Sequence, residues 1–379
     1  MVSGRQAAAN RTSLLNFALL AGCVERVNYL APEANSVGVR DMGLLPASLP
    51  GHAAVTEPAS RERLERQWGV KLPIEPGLGY DEMLEAAAAG RLRALYLVGS
   101  DPASQGPAGA AALQKVDFLV VQDLFLTELA RLADVVLPAV SWAESDGTFT
   151  NLERRVQRAP QALANPHSQA APDWLIFTEL AKLWPAVVGE ARPDSKKSKR
   201  RGGDAARVWS YADAWAVLDE ITRAAPMYDK LSWDALGDVG KQWPAASLPG
   251  GPRRLVVPER GSASQSASGY PYLLLAGQML FDDGGLLRTT ETAAKVAAPV
   301  AVGIHPADAE AERLVDGQMA TVSSPAGQAT LPVRLDATVQ RGVLWIPLSL
   351  PGAPAETLSS AEGSSGVGTR VRIIAEKAG

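Results

Sequence analysis

This sequence predicts an α/β fold, a parallel sheet between helices, followed by a C-terminal β barrel. Three observations carry that reading. From Ala94 to Leu137 short continuous apolar runs alternate with a helical stretch in the order strand, helix, strand, the pattern of parallel strands buried on both faces. A Gly/Ser-rich connector, GSASQSASG, occupies Gly261 to Gly269 and marks the change of texture. Beyond it, short β-rich segments follow one another, and a compact, partly closed barrel is the simplest way to protect so many strand edges.

Taken in order, the elements justify this division. The opening, MVSGRQAAANRTSLLNFALLAGCVERVNYL, has some features of a signal peptide, but Asn16 breaks its apolar part and Glu25 and Arg26 follow it. Arg11 to Gly22 therefore reads as a helix of the fold, capped by Asn10 or Thr12, with Leu14, Leu15, Ala18 and Leu19 on its apolar side. NYLAPEANSVGVRDMGLLPASLPG, rich in Asn, Pro and Gly, reads as an extended surface connection. Short helices are expected at Glu57 to Gln67 and at Asp81 to Ala89, the second closed by Gly90.

The parallel units come next. A strand at Ala94 to Val98 empties into a turn, Gly99 to Pro102. A second strand at Phe118 to Val121 is followed by a helix at Leu124 to Leu132 and a third strand at Val135 to Leu137. The C-terminal strand edges, Gly99 to Pro102 and Gln122 to Asp123, are where ligands enter sheets of this kind. Alternating polarity from Thr148 to Val156 predicts a hairpin or an extended lip over the sheet, and Pro172 and Asp173 open a helix with Leu175, Ile176, Leu180 and Leu183 inward. The basic cluster Lys196, Lys197, Lys199, Arg200 and Arg201 reads as a solvated loop, and Trp215, Leu218 and Ile221 as the packed side of a further helix. Barrel strands are expected at Tyr272 to Ala276, Val300 to Ile304, Met319 to Ser323, Gln328 to Leu335, Val343 to Pro347 and the terminal RVRIIAE, with a short helix from Pro306 to Leu314.

Composition excludes several functions. With 379 residues, 46% hydrophobic, the chain is long enough for more than one core. A formal charge of -4 gives no general attraction for nucleic acid. No run of about 18 uncharged apolar residues is present, so no membrane span is expected. One cysteine, Cys23, and three scattered histidines, His52, His167 and His305, cannot supply a cysteine-ligated iron–sulfur cluster or a cysteine-rich zinc site. Cys23 reads as a small buried residue and the histidines as surface or turn residues.

Three segments resemble a known family. ADVVLPAVSWAESDGTFTNLERRVQRA, Ala133 to Ala159, LYLVGSDPA, Leu95 to Ala103, and the region from Pro271 onward, with GIHPADAEAERLVDGQMATV, resemble molybdopterin-dependent oxidoreductases. The resemblance implies a molybdopterin-oxidoreductase-like α/β domain over residues 1–190, incomplete, then a helical insertion and linker over 191–265. A C-terminal β barrel of the molybdopterin dinucleotide-binding type is implied over 266–379. RVNYLAPEANSVGVRDMGLLP, Arg26 to Pro46, is similar to the C-terminal part of the large iron–sulfur G subunit of respiratory NADH:quinone oxidoreductase, complex I.

That resemblance implies a structural component of the peripheral arm, on the cytoplasmic face of the respiratory membrane. It would support electron transfer without holding a cluster and without independent catalysis. Its expected partners are other peripheral-arm subunits of complex I, among them a cluster-bearing N-terminal portion of the same large polypeptide. No cofactor is expected on this chain; FMN and iron–sulfur clusters are expected in the partner subunits. The alternative is half of a split molybdopterin-dependent oxidoreductase acting on a small substrate such as formate or nitrate.

A cofactor carrying two phosphates needs backbone amides, small turns and cations. Gly99, Ser100, Asp101, Arg154 and Arg155 offer a partial set without a Walker or Rossmann fingerprint. The candidates for a vestigial pocket are Gly99, Ser100, Asp101, Asn151 and Arg155. Asp101 either binds a polar ring group or caps its turn. Glu144 and Asp146 are acid–base candidates or structural loop residues. Asn151 and Arg155 either tie the lip to the sheet or serve an interface.

Overall fold

The computed structural model describes residues 5–23, 33–102, 107–164, 168–190, 209–244, 255–256, 269–278, 290–296, 299–348, 355–358 and 369–376. The basic cluster at 196–201, His167 and all but the last residue of the Gly261–Gly269 connector lie outside these residues. Two compact units form: residues 28–101 with 111–254, and residues 1–27 and 102–110 with 255–379.

In chain order the first helix, α1 (Arg5–Leu20), belongs to the unit that holds the barrel. The other unit begins with α2 (Ser36–Asp41), a small hairpin of β1 (Ser48–Leu49) and β2 (Ala53–Ala54), α3 (Pro58–Trp68) and α4 (Tyr80–Ala88). The stretch read as an extended connection thus holds a helix and the first strand of a hairpin that is completed just after it. Pro58 at the first turn and Gly69 in the left-handed conformation bound α3, as these residues do by removing a donor and admitting positive φ. Next come β3 (Ala94–Val98), α5 (Pro107–Leu113), of which residues 107–110 are grouped with the barrel unit, β4 (Phe118–Asp123), α6 (Glu128–Leu132) and β5 (Val135–Pro138). Strands β3, β4 and β5 make a parallel sheet with Leu95 opposite Leu119 and Val121 opposite Val136. Helix α6 starts later than expected because Thr127 caps it, accepting from the Ala130 amide at 3.1 Å.

A second sheet is antiparallel: β6 (Gly147–Thr150), β7 (Arg155–Ala159) and the short β8 (Lys241–Gln242), with Thr150 opposite Val156 and Arg155 opposite Gln242. Between β7 and β8 run α7 (Asp173–Glu190), α8 (Ala214–Ala224) and α9 (Trp233–Leu236). Val156 is buried among Leu218, Met227, Tyr228, Leu231, Leu236 and Trp243, so the lip forms one wall of a core. Helix α7 lies against the parallel sheet, with the Phe177 ring 5.9 Å from that of Tyr96.

In the barrel unit, α1 begins before the expected caps, and its orientation also differs: Ala18 is buried, whereas Leu14 and Leu15 are exposed. Asn16, the residue that breaks the apolar run, pairs through its amide with both backbone groups of Val256. Cys23 is half-buried rather than buried. The barrel region comprises β9 (Tyr272–Gln278), α10 (Glu291–Val296), β10 (Val302–Ile304), α11 (Pro306–Ala311), β11 (Met319–Ser323), β12 (Gln328–Leu335), β13 (Val343–Leu348), α12 (Ala355–Leu358) and β14 (Thr369–Ala375).

Its six strands close in the order β10, β12, β11, β14, β9, β13. Pairs β10–β12 and β9–β13 are parallel and the others antiparallel. Period-2 alternation places Val302, Ile304, Val322, Leu344, Ile346 and Val371 in the core, as a closed sheet requires. His305 caps α11, its Nδ1 accepting from the Ala307 amide at 3.1 Å, so the turn role read for it holds.

Candidate functional site

At the C-terminal edge of the parallel sheet the chain leaves β3 at Gly99, whose φ is 55°, a region open to glycine at little cost. The Gly99 amide donates to the Gln122 carbonyl at 2.9 Å, which ties this turn to the end of β4. Gly99 is exposed, Ser100 and Asp101 are half-buried, and a Cβ on Gly99 would meet nothing within 4 Å. The turn therefore borders open space.

Beside it stands Asp123, half-buried at the end of β4, its carboxylate accepting from the Phe125 amide at 3.2 Å. Gln122 is buried; it accepts from the Tyr96 hydroxyl and donates to Asp173 in the first turn of α7 at 2.6 Å. Burial, and secondarily the Asp173 carboxylate, push the Tyr96 phenol above its ordinary range, so this hydroxyl remains a donor. Gly99, Ser100, Asp101 and Asp123 thus share one sheet edge, with Gln122 fixed beneath them.

Asn151 and Arg155 lie elsewhere in the same unit, at the tip of the lip. The Asn151 side chain accepts from the amides of Glu153 at 2.9 Å and Arg155 at 3.0 Å, an Asx turn that builds the hairpin. Arg155 reaches the Gly240 carbonyl at 3.5 Å and Glu153 at 3.9 Å. Both residues brace the lip. Between them Arg154 adopts φ 65°. Its guanidinium lies over the Trp243 ring, 5.4 Å from the centroid, while its Nε is buried without a partner.

Glu144 and Asp146 have structural tasks. The Glu144 carboxylate accepts from the Ser141 amide and hydroxyl at 3.0 and 2.7 Å, and Asp146 accepts from the Gln161 amide at 2.9 Å. Below the lip lies a polar hub that the sequence did not announce. Asp41 is completely buried and accepts from His52 Nε2 at 2.7 Å, Tyr228 Oη at 2.7 Å and Trp243 Nε1 at 2.9 Å. Burial first, then Asp41, hold the Tyr228 hydroxyl protonated far above the usual phenol range. Tyr228 also meets Thr150 Oγ1 at 3.0 Å, and the Thr150 amide donates to Asn35 at 2.8 Å. His52 is accordingly not a simple turn residue. Asp41 sits in a Pro/Gly-rich stretch where nothing local signals burial; its partners come from up to 202 positions away.

Comparison with known proteins decides the family. The molybdopterin oxidoreductase profile matches residues 1–183, and the molybdopterin dinucleotide-binding domain profile matches residues 286–370. The chain belongs to the molybdopterin oxidoreductase family. It is 33% identical over 341 residues to the NADH-quinone oxidoreductase G subunit 2 of Rhizobium meliloti (strain 1021), covering 88% of this chain and 36% of that protein. It is 30% identical over 376 residues to F420-dependent formate dehydrogenase 1 subunit alpha of Methanococcus maripaludis, covering 93% and 52%. The chain thus spans between a third and about half of the length of these relatives. Acetylene hydratase from Pelobacter acetylenicus shares the fold, with a TM-score of 0.50 at 17% identity over 83% of this chain and 49% of that one.

These matches correct the expectation that the chain carries no cofactor. A molybdopterin oxidoreductase domain and a dinucleotide-binding domain on one chain point to a molybdopterin cofactor bound by it. The groups at the sheet edge agree with the organic part of such a group: an exposed glycine turn, the Ser100 hydroxyl and the Asp123 carboxylate; the Arg154 guanidinium, with its buried, unpartnered Nε, belongs to the separate lip. Among the described residues no three His, Cys, Asp or Glu side chains converge as metal ligands. Among them, too, no helix is long and apolar enough to cross a membrane.

Proposed function

We propose that this chain is the molybdopterin-fold portion of the large G-type subunit in a respiratory NADH–quinone oxidoreductase, working in the peripheral arm beside other components of that complex at the cytoplasmic face of the membrane. The observation that carries the reading is the match of 88% of the chain, at 33% identity, to a G subunit of such an enzyme. Both units of the chain are of the family's kind.

A bound molybdopterin cofactor would supply a redox-active metal carried on its organic dithiolene. The residues of this chain would bind and orient its organic part. The Gly99 turn and the Ser100 hydroxyl offer donors to anionic oxygens, and Asp101 and Asp123 offer acceptors to ring N–H groups. Arg154 adds positive charge. Asn151 and Arg155 set the shape of the lip that carries it.

A second reading is a split oxidoreductase acting on a small substrate such as formate. Its support is the 30% identity to a formate dehydrogenase alpha subunit, of which this chain spans 52%. One experiment separates the two: isolation of the native chain from gently solubilised membranes, with mass spectrometry of its companions and fluorescence assay of oxidised pterin. Recovery with NADH–quinone oxidoreductase components in constant ratio supports the first reading. Recovery as a soluble pair that reduces an acceptor with formate replaces it by the second.

A further inference from the structure

His52 is one of three non-glycine residues with positive φ among the described residues, at 63°. Such a conformation is strained for an imidazole-bearing residue. What it accomplishes is placement: Nε2 lies 2.7 Å from Asp41 Oδ1, with the Asp41 side chain completely buried and that of His52 26% exposed. The other two donors to Asp41, the Tyr228 hydroxyl and the Trp243 indole, are neutral.

The charged and titratable groups around the pair come from three elements. Asp41 closes α2, Tyr228 follows α8, and Arg154 sits at the turn between β6 and β7, its guanidinium over the indole whose Nε1 binds Asp41. A carboxylate out of water is stabilised far more by a charged hydrogen-bond partner than by a neutral one. Of the three groups bonded to Asp41, only the imidazole changes charge in the range where histidines titrate.

We propose that His52 is a proton-operated clamp on the β6–β7 lip. Protonated, it forms an ion pair with Asp41 and tightens the hub; neutral, it leaves a buried carboxylate held by three uncharged donors. The hub grips the lip at several points. Tyr228 binds Thr150 Oγ1. The Trp243 amide donates to the Arg154 carbonyl at 3.1 Å. Asn35, at the start of α2, accepts from the Thr150 amide. The proton on His52 is therefore coupled to how firmly Asn151 to Arg155 are held. The sign follows from charge: the ion pair exists while the imidazole is protonated and is absent when it is neutral.

The chain has only three histidines, so ¹³C-labelled imidazoles resolve His52 directly by NMR, with His167→Gln and His305→Gln assigning the other two. Hydrogen exchange of the Thr150–Val156 amides, corrected for intrinsic rates, is followed over the same pH series. The expected result is one shared midpoint, with lip protection about tenfold lower on its alkaline side, the ratio for replacing a charged hydrogen bond by a neutral one. In His52→Asn, a residue that tolerates positive φ, the profile becomes flat. The wild-type arm stands without the variant: lip exchange that does not track the His52 titration overturns the proposal, as does an unchanged profile in a folded His52→Asn.

Discussion

Gln122 and Asp173 are joined side chain to side chain at 2.6 Å, fastening the C-terminal edge of the parallel sheet to the first turn of α7. The Gln122 amide is also the acceptor for Tyr96, so one buried residue serves both neighbours. Replacing Gln122 by Leu leaves the Tyr96 hydroxyl and the Asp173 carboxylate without these partners and costs about 2 kcal/mol. Gln122→Glu costs more near neutral pH, because it sets a second carboxylate against Asp173. Urea unfolding midpoints of the two variants give that order.

The buried Asp41 hub makes a stronger prediction. Asp41→Ala strands the Tyr228 hydroxyl and the Trp243 indole N–H in the core, a loss of about 3 kcal/mol or more. Tyr228→Phe removes one donor and keeps the ring packing, and costs about 1 kcal/mol. Thermal melts followed by tryptophan fluorescence, with Trp243 in the hub itself, report the difference.

Two glycines with positive φ respond differently to alanine. A Cβ on Gly43 (φ 72°) would lie 2.4 Å from the Leu49 backbone carbon, whereas one on Gly99 (φ 55°) meets open space. Gly99→Ala carries only the left-handed backbone penalty, about 1 kcal/mol. Gly43→Ala must also displace the β1 backbone and is the more damaging. Soluble yield and melting temperature of the pair check this.

In the barrel, Leu344 is completely buried, and Leu344→Ala opens a cavity worth about 2–5 kcal/mol. Leu335→Ala, on the same barrel but at an exposed position, leaves the barrel's unfolding midpoint nearly unchanged. Denaturation of the two variants, followed by amide exchange of β10 to β13, distinguishes core from surface.

Acid weakens the barrel through Asp308. Desolvation works to raise its carboxyl, but the Gly342 amide and the Arg341 guanidinium outweigh it and hold the group below the ordinary carboxylate range. Gly342 donates at 2.7 Å and Arg341 at 3.0 Å. A lowered folded-state value means that the stabilisation is present above the unfolded-state value and is lost as pH falls through the folded one. Stability measured from about pH 6 down to about pH 2 therefore declines less steeply in Asp308→Asn than in the wild type.

The strands were legible because their signal is local. The runs ALYLV, FLVVQ and VVLP are continuous and apolar, the pattern of parallel strands, although only β4 buries its residues well, at Leu119, Val121 and Gln122, while β3 and β5 stay half-buried or exposed; the alternation in β11, β12 and β14 follows from one face turned to a core. Helix boundaries were less legible: α1 turns Leu14 and Leu15 outward, and the stretch around Gly51 folds into a helix and a hairpin. Glycine and proline there signalled irregular backbone without saying which contacts would organise it.

By itself, then, the sequence determined the strands of the parallel sheet and of the barrel, the two textures of the chain and the motif segments that place it in its family. The Gly99 turn and the lip were found there because their conformations are written in adjacent residues. Tertiary structure alone decided what Asp41, His52, Gln122 and Trp243 do. Each depends on partners well outside its own stretch of chain, and a buried polar group is specified by the donors that converge on it in space, for which short-range periodicity carries no record.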